Sequence, residues 1–167
     1  MPNHCDNRIE IYCKTVEQAK EIKDFLCSEE TCFDLNNIVP KPNWSKTPLT
    51  GKETDFTGAK QKLGKVGELP IKNEEFPEGL GTFWEFASTG KQDDRWYNWQ
   101  IINWGTKWNT YDAYEDGDED ELIYHFNTAW SPPEEAIEAL RKIYTKDKGV
   151  HITAWFDEPG MEIGGYY

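Results

Sequence analysis

One run of residues in the second half constrains this chain more than any other. Leu122, Tyr124, Phe126, Thr128 and Trp130 fall at every second position, which is the period of a strand with one buried face. Ser131-Pro132-Pro133-Glu134 follows and reads as a capping box, with proline at the first helical positions, where no amide is needed. Ala136, Ile137, Leu140 and Tyr144 then form an apolar stripe at helical spacing. Val150, Ile152, Ala154 and Phe156 alternate again, and Glu158-Pro159-Gly160 turns that strand into a short return strand over 161–163. The second half is therefore strand, helix, strand.

The first residues repeat the theme. Ile9, Ile11 and Cys13 alternate with Arg8, Glu10 and Tyr12, a strand with one buried face. Thr15-Val16-Glu17-Gln18 is a capping box, and Val16, Ala19, Ile22 and Leu26 place the helix behind it as far as about Ser28. Residues 32–39 read as a second strand, ended by Pro40 and Pro42. Between the two halves, residues 108–114 read as a strand with Trp108, Thr110, Asp112 and Tyr114 on one face. The acidic run 115–121 turns it back into Leu122 as a hairpin. Two β-α-β units predict an α+β fold, a ferredoxin-like split β-α-β sandwich with an added antiparallel hairpin and a long irregular insertion.

A length of 167 residues suits a single domain over 1–167 with a real core. The insertion covers about 41–81, where Pro, Gly and Lys are frequent and periodicity is weak, with a short helix over 59–63. A stretch of this length inside a compact domain is either a lid over a site or a surface elaboration. Residues 82–86 fit a short strand or a helix turn equally well.

Charge and cysteine usage exclude several classes. The net charge of −13 opposes non-specific binding to a nucleic-acid backbone, which needs clustered Lys and Arg. It suits solubility, or an acidic face that docks on a basic partner. No window has the apolar length of a membrane span or signal sequence, so a soluble, cytoplasmic protein is expected. Cys5, Cys13, Cys27 and Cys32 form no CxxC pair, and His4, His125 and His151 are scattered, so neither a metal site nor a cofactor is expected. The 115–121 carboxylates lack the spacing of a calcium loop and read as a solvated hairpin tip.

Candidate binding residues gather in Asn103-Trp104-Gly105-Thr106-Lys107-Trp108-Asn109, followed by Tyr111-Asp112. Indoles beside a cation, a hydroxyl and carboxamides suit a half-buried platform that grips something planar and polar. In that reading Trp104, Trp108 and Trp130 stack a planar group, and Lys107 with Arg95 meets an anion. Thr106, Asn109 and Thr128 read polar edges, Tyr111 lies beside them, and Asp112 accepts from a hydroxyl or amine. The alternative is that Gly105 makes a tight bend, the indoles fill a core short of aliphatics, and Lys107 lies on the surface. Trp96, Tyr97 and Trp99 form a further aromatic cluster with the same two readings.

Several of these motifs occur together in one family. The opening Met-Pro-Asn-His-Cys-Asp-Asn, the Asn-Trp-Gly-Thr-Lys-Trp-Asn with Tyr111-Asp112, the Thr-Ala-Trp-Ser-Pro-Pro at 128–133 and the Glu-Pro-Gly at 158–160 resemble the YubB-like family. Its members are ferredoxin-like proteins of bacteriophages and conjugative plasmids. The resemblance implies that fold and a mobile-element origin, and brings no established activity.

Three functions follow from these residues. The first is a non-enzymatic binder that captures a small nucleotide-like ligand in the Trp/Lys-lined pocket, as an antagonist of host defence. The second is an acidic protein-interaction module that inhibits a host protein. The third is an enzyme using Lys107 with Asp112, or Cys5 with His4; no nucleophile elbow, phosphate loop or metal pair supports it, and adjacent strand residues point apart. Oligomeric state is not legible.

Overall fold

The computed structural model describes residues 3–43 and 95–167. The chain divides into two compact units, residues 1–40 with 100–167, and residues 41–99. The expected insertion from 44 to 81, its 59–63 helix and the undecided 82–86 element lie outside the described residues.

The first unit is a five-stranded antiparallel sheet under helices. In chain order the elements are β1 (His4–Tyr12), α1 (Val16–Leu26), α2 (Leu35–Ile38), α3 (Arg95–Trp104), β2 (Tyr111–Glu115), β3 (Glu121–Ala129), α4 (Glu134–Lys148), β4 (His151–Glu158) and β5 (Ile163–Tyr166). The first turn of α3 belongs to the second unit. Sheet order is β2-β3-β1-β4-β5. The first four strands in that order, with α1 and α4 as the two crossover helices, make the ferredoxin-like α+β arrangement. The hairpin of β2 and β3 belongs to that arrangement itself, and β5 extends it at one edge.

Alternation decides what is buried. Cys5, Asn7, Ile9 and Ile11 of β1 face inward, with Leu122, Tyr124, Phe126 and Thr128 of β3 beside them. Ala19, Ile22 and Leu26 of α1 and Ala136, Ile137, Leu140 and Tyr144 of α4 cover that face. Phe33 completes the layer, stacked on Phe126 at 4.7 Å and edge-on to Tyr124 at 5.0 Å. The thrift of aliphatics noted in the sequence is met by these rings.

Several sequence expectations change. Residues 32–39 form no strand, because Asp34 accepts from the Asn36 amide at 2.8 Å and caps a single helical turn over 35–38. The Thr15 cap forms, with the Gln18 amide at 3.2 Å, but Val16 is left exposed. The Ser131 capping box does not form: α4 starts at Glu134 after Pro133, and the Ser131 hydroxyl donates to Gly105 O at 2.6 Å. The single face expected for Trp108, Thr110, Asp112 and Tyr114 is broken, because β2 begins at Tyr111 and bulges between Tyr111 and Tyr114, with Asp112 at φ 53°. Trp130 lies past the end of β3 at φ 74° and is exposed, so it leaves the buried row of Leu122 to Thr128. The return strand runs over 163–166 rather than 161–163, since residues 159–162 make the turn.

Candidate functional site

The central stretch is mostly a structural clasp. Gly105, at φ +85°, ends α3 where an L side chain would be strained. A Cβ there would meet Glu134 N at 2.8 Å and would overlap the Glu135 carboxylate, so the chain passes hard against the start of α4. Trp104 is fully enclosed, and its indole N–H donates to Val39 O at 2.8 Å. Thr106 is also fully enclosed and donates to Ala129 O at 3.0 Å. Thr128 accepts from the Asn7 amide at 2.9 Å and donates to Ser131 O at 2.8 Å. Asn109 accepts from Leu35 N and donates to Asp34 Oδ1, which ties α2 to this segment. Buried polar groups with such partners are satisfied and offer no edge to a ligand.

The remaining candidates of the stretch face outward. Lys107 Nζ lies 4.8 Å from the centroid of the half-exposed Trp108 ring, a cation–π contact. Trp130 is 45% exposed. Tyr111 OH sits 2.7 Å from His4 Nδ1 and 3.3 Å from Thr128 O, and burial pushes its phenol up. Arg95 opens α3, and its side chain lies outside the described part of the structure. The structure thus joins Trp104, Thr106, Asn109 and Thr128 to the scaffold and leaves Lys107, Trp108 and Trp130 on the surface.

Strand geometry separates one of the two enzyme pairings. His4 and Cys5 are neighbours on β1, so His4 is exposed while Cys5 is enclosed on the other side. Burial pushes the Cys5 thiol up to about 11, against the opposing hydrogen bond from Thr128. It stays protonated near neutrality and is a poor nucleophile. All four cysteines are free. Among the described residues, no group of three or more His, Cys, Asp or Glu side chains could hold a metal ion. No helix among them is long and apolar enough to cross a membrane.

A different surface emerges from the strand register. Tyr114 pairs with His125, His125 with Arg8, Arg8 with Trp155, and Trp155 with Tyr166. Directly paired residues project to the same side, so these five side chains form one row across all five strands, on the side away from the helices. Tyr114 stacks on His125 at 4.8 Å and 11°. The β2 bulge matters here, because it lets both Tyr111 and Tyr114 face this side. Tyr114, Trp155 and Tyr166 are 56%, 37% and 81% exposed, a large aromatic area to leave in water.

Flanking rows are polar. Glu10 binds Arg8 at 2.7 Å and accepts from Tyr12 OH at 2.9 Å and Thr153 at 3.1 Å, so it holds Arg8 down on the sheet. The hydrogen bonds to Glu10 and Glu121 push the Tyr12 phenol up to about 12. On the other flank Asp6 pairs directly with Asp157. Two hollows open along the row. One, of about 210 Å³, is lined by Arg8, Glu10, Thr153, Trp155 and Tyr166. The other, of about 190 Å³, includes Asp6, Asp112, Tyr114, His125 and Asn127. Of the sequence candidates, Asp112 and Tyr111 reach this face. Sequence reading missed the row because exposed positions of a strand look like ordinary alternation. The signal available was that Arg8, His125 and Trp155 occupy the outward phase of three separate strands.

Known proteins corroborate the fold. Residues 103–167 match the family model described as the ferredoxin-like domain in Api92-like protein. No curated protein matches the chain. Among solved structures, the chain is similar to the crystal structure of a protein api92 from Yersinia pseudotuberculosis. The identity is 12% and the TM-score 0.52, over 99% of this chain and 93% of that one. At that identity the likeness speaks for the fold alone, and with the matched C-terminal residues it establishes a ferredoxin-like domain.

Proposed function

We propose that this protein is a non-enzymatic binding module that docks a protein partner on the open face of its sheet. One observation carries the reading: a row of four aromatic rings and one arginine crosses all five strands of the sheet and is left largely exposed. Rigid strands hold such a row in fixed register, so little order is lost when a partner covers it. Exposed Trp and Tyr are the side chains that dominate interface energetics. In keeping with the YubB-like resemblance, the reading extends to a protein of a phage or plasmid that blocks a host protein.

The test compares two sets of variants in the host cell. Trp155→Ala with Tyr166→Ala should abolish co-purification of a partner and any associated inhibition, with the fold intact by circular dichroism. Lys107→Ala with Trp108→Ala should leave both unchanged. The reverse pattern would sink the reading.

A second reading, capture of a small nucleotide-like ligand, draws on the Lys107 cation held over the Trp108 ring. It predicts a rise in melting temperature with nucleotides or cyclic dinucleotides that is lost in Lys107→Ala. The enclosure of Trp104, Thr106 and Thr128 weighs against it.

A further inference from the structure

We infer that the occupant of the open face is an extended, cationic segment of the partner protein, carrying arginine or lysine at alternate positions. The inference rests on the docking reading above and adds the chemistry of what docks.

Charge is the first argument. Asp6, Glu10, Asp112, Glu121 and Asp157 lie on or beside this face, and Arg8, already bound to Glu10, is its cation among the described residues. Asp6 and Asp157 stand directly opposite each other on neighbouring strands. Like charges in that position repel. Neither has a salt bridge or side-chain hydrogen bond among the described residues, so a cation supplied from outside would remove an existing cost.

Ring geometry is the second. Each hollow has aromatic walls: Trp155 and Tyr166 in one, beside the Arg8–Glu10 ion pair, and Tyr114 and His125 in the other, beside Asp6 and Asp112. A guanidinium or ammonium gains from the ring faces in the first and from rings and uncompensated carboxylates together in the second. At about 210 and 190 Å³, each hollow suits one long side chain rather than a folded element.

Spacing is the third. The hollows centre near β4 and β3, two strands apart in the sheet, or roughly 10 Å at about 4.8 Å per strand. An extended chain rises about 3.4 Å per residue and returns to the same side every second residue. Cations with one or three residues between them stand about 6.8 or 13.6 Å apart, which brackets that span, and their long side chains take up the difference.

The same charges disfavour the other occupants. A single-stranded nucleic acid would stack on the rings but set its phosphates against Asp6, Asp157 and Glu10. A second copy of this chain brings its own net charge of −13.

The experiment is calorimetric titration of the whole protein with short capped peptides, alongside a photo-crosslinking residue placed at Tyr166. A peptide with arginine at alternate positions should bind saturably and weaken as salt is raised. Its affinity should fall at least tenfold in Trp155→Ala and in the double variant Asp6→Asn, Asp157→Asn, and persist in Lys107→Ala. Its glutamate counterpart and an oligothymidine should not bind. Absence of saturable basic-peptide binding, indifference to the face variants, or preference for the oligothymidine would each overturn the inference. The crosslink separates the two claims. A protein captured through a non-basic segment removes the inference and keeps the docking reading, whereas no capture alongside no peptide binding removes both.

Discussion

The Asn103–Asn109 stretch and the open sheet face make opposite use of the same residue types. In the stretch, Trp, Thr and Asn turn inward: Trp104 donates to Val39 O, Thr106 to Ala129 O and Asn109 to Asp34. On the face, Trp155, Tyr166 and Tyr114 lie outward in a fixed row. The stretch locks the connection into β2 against the start of α4, and the face is what that locking leaves presented. Dense clusters of unusual residues can thus mark a joint, while a site is assembled from ordinary strand positions far apart in the chain.

The sharpest way to break this comparison is to truncate one indole from each region. Trp104→Ala opens a cavity in a fully enclosed site and orphans the Val39 carbonyl, so it should cost about 3–5 kcal/mol in urea unfolding. Trp155→Ala should cost less than about 1 kcal/mol, because its ring already meets water. Equal losses would erase the distinction.

Gly105→Ala comes next. It places a Cβ against backbone at a φ of +85°, and a cost of roughly 1–3 kcal/mol in the same assay is expected. A neutral result would mean that the passage beside α4 is looser than the clasp requires.

Cys5 tests the enclosed side of the sheet through pH. Below pH 9 both folded and unfolded chains carry the neutral thiol, so the shift has no effect there. As pH rises from the ordinary 9.0 towards about 11, the unfolded chain ionises first and stability falls. Comparing wild type with Cys5→Ala over that window should show an extra loss of roughly 2 kcal/mol in wild type. Parallel profiles would place the thiol in contact with water.

The smallest effect has the opposite sign. Asp157→Asn removes the like-charge pair with Asp6 and should stabilise the protein by about 0.2–1 kcal/mol, read as a raised melting temperature. Stabilisation combined with weaker basic-peptide binding would show that the face keeps its charge at the expense of stability.

Much of the scaffold was legible because it follows local rules. The β3 alternation, the α4 stripe and the Thr15 cap each specify their element over a few consecutive residues. Each misreading has its own physical cause. At 32–39 Phe33, Leu35, Ile38 and Val39 suited a strand, but the Asp34 side chain captured a nearby amide and capped a helical turn. At 108–114 a bulge reset the alternation. The Ser131 hydroxyl, suited to a cap, was taken by Gly105 O in another segment.

By itself the sequence determined the ferredoxin-like α+β class, the order of the strands and helices from β3 onward, and the acidic character of the surface. These depend on periodicity and composition, which short windows of chain already contain. Only the tertiary structure decided that Trp104 is core while Trp155 is surface, and that Tyr114, His125, Arg8, Trp155 and Tyr166 form one row. That row depends on strand register between segments up to 158 positions apart, Arg8 to Tyr166. Register is set by long-range pairing and by one bulge, neither of which a local pattern encodes.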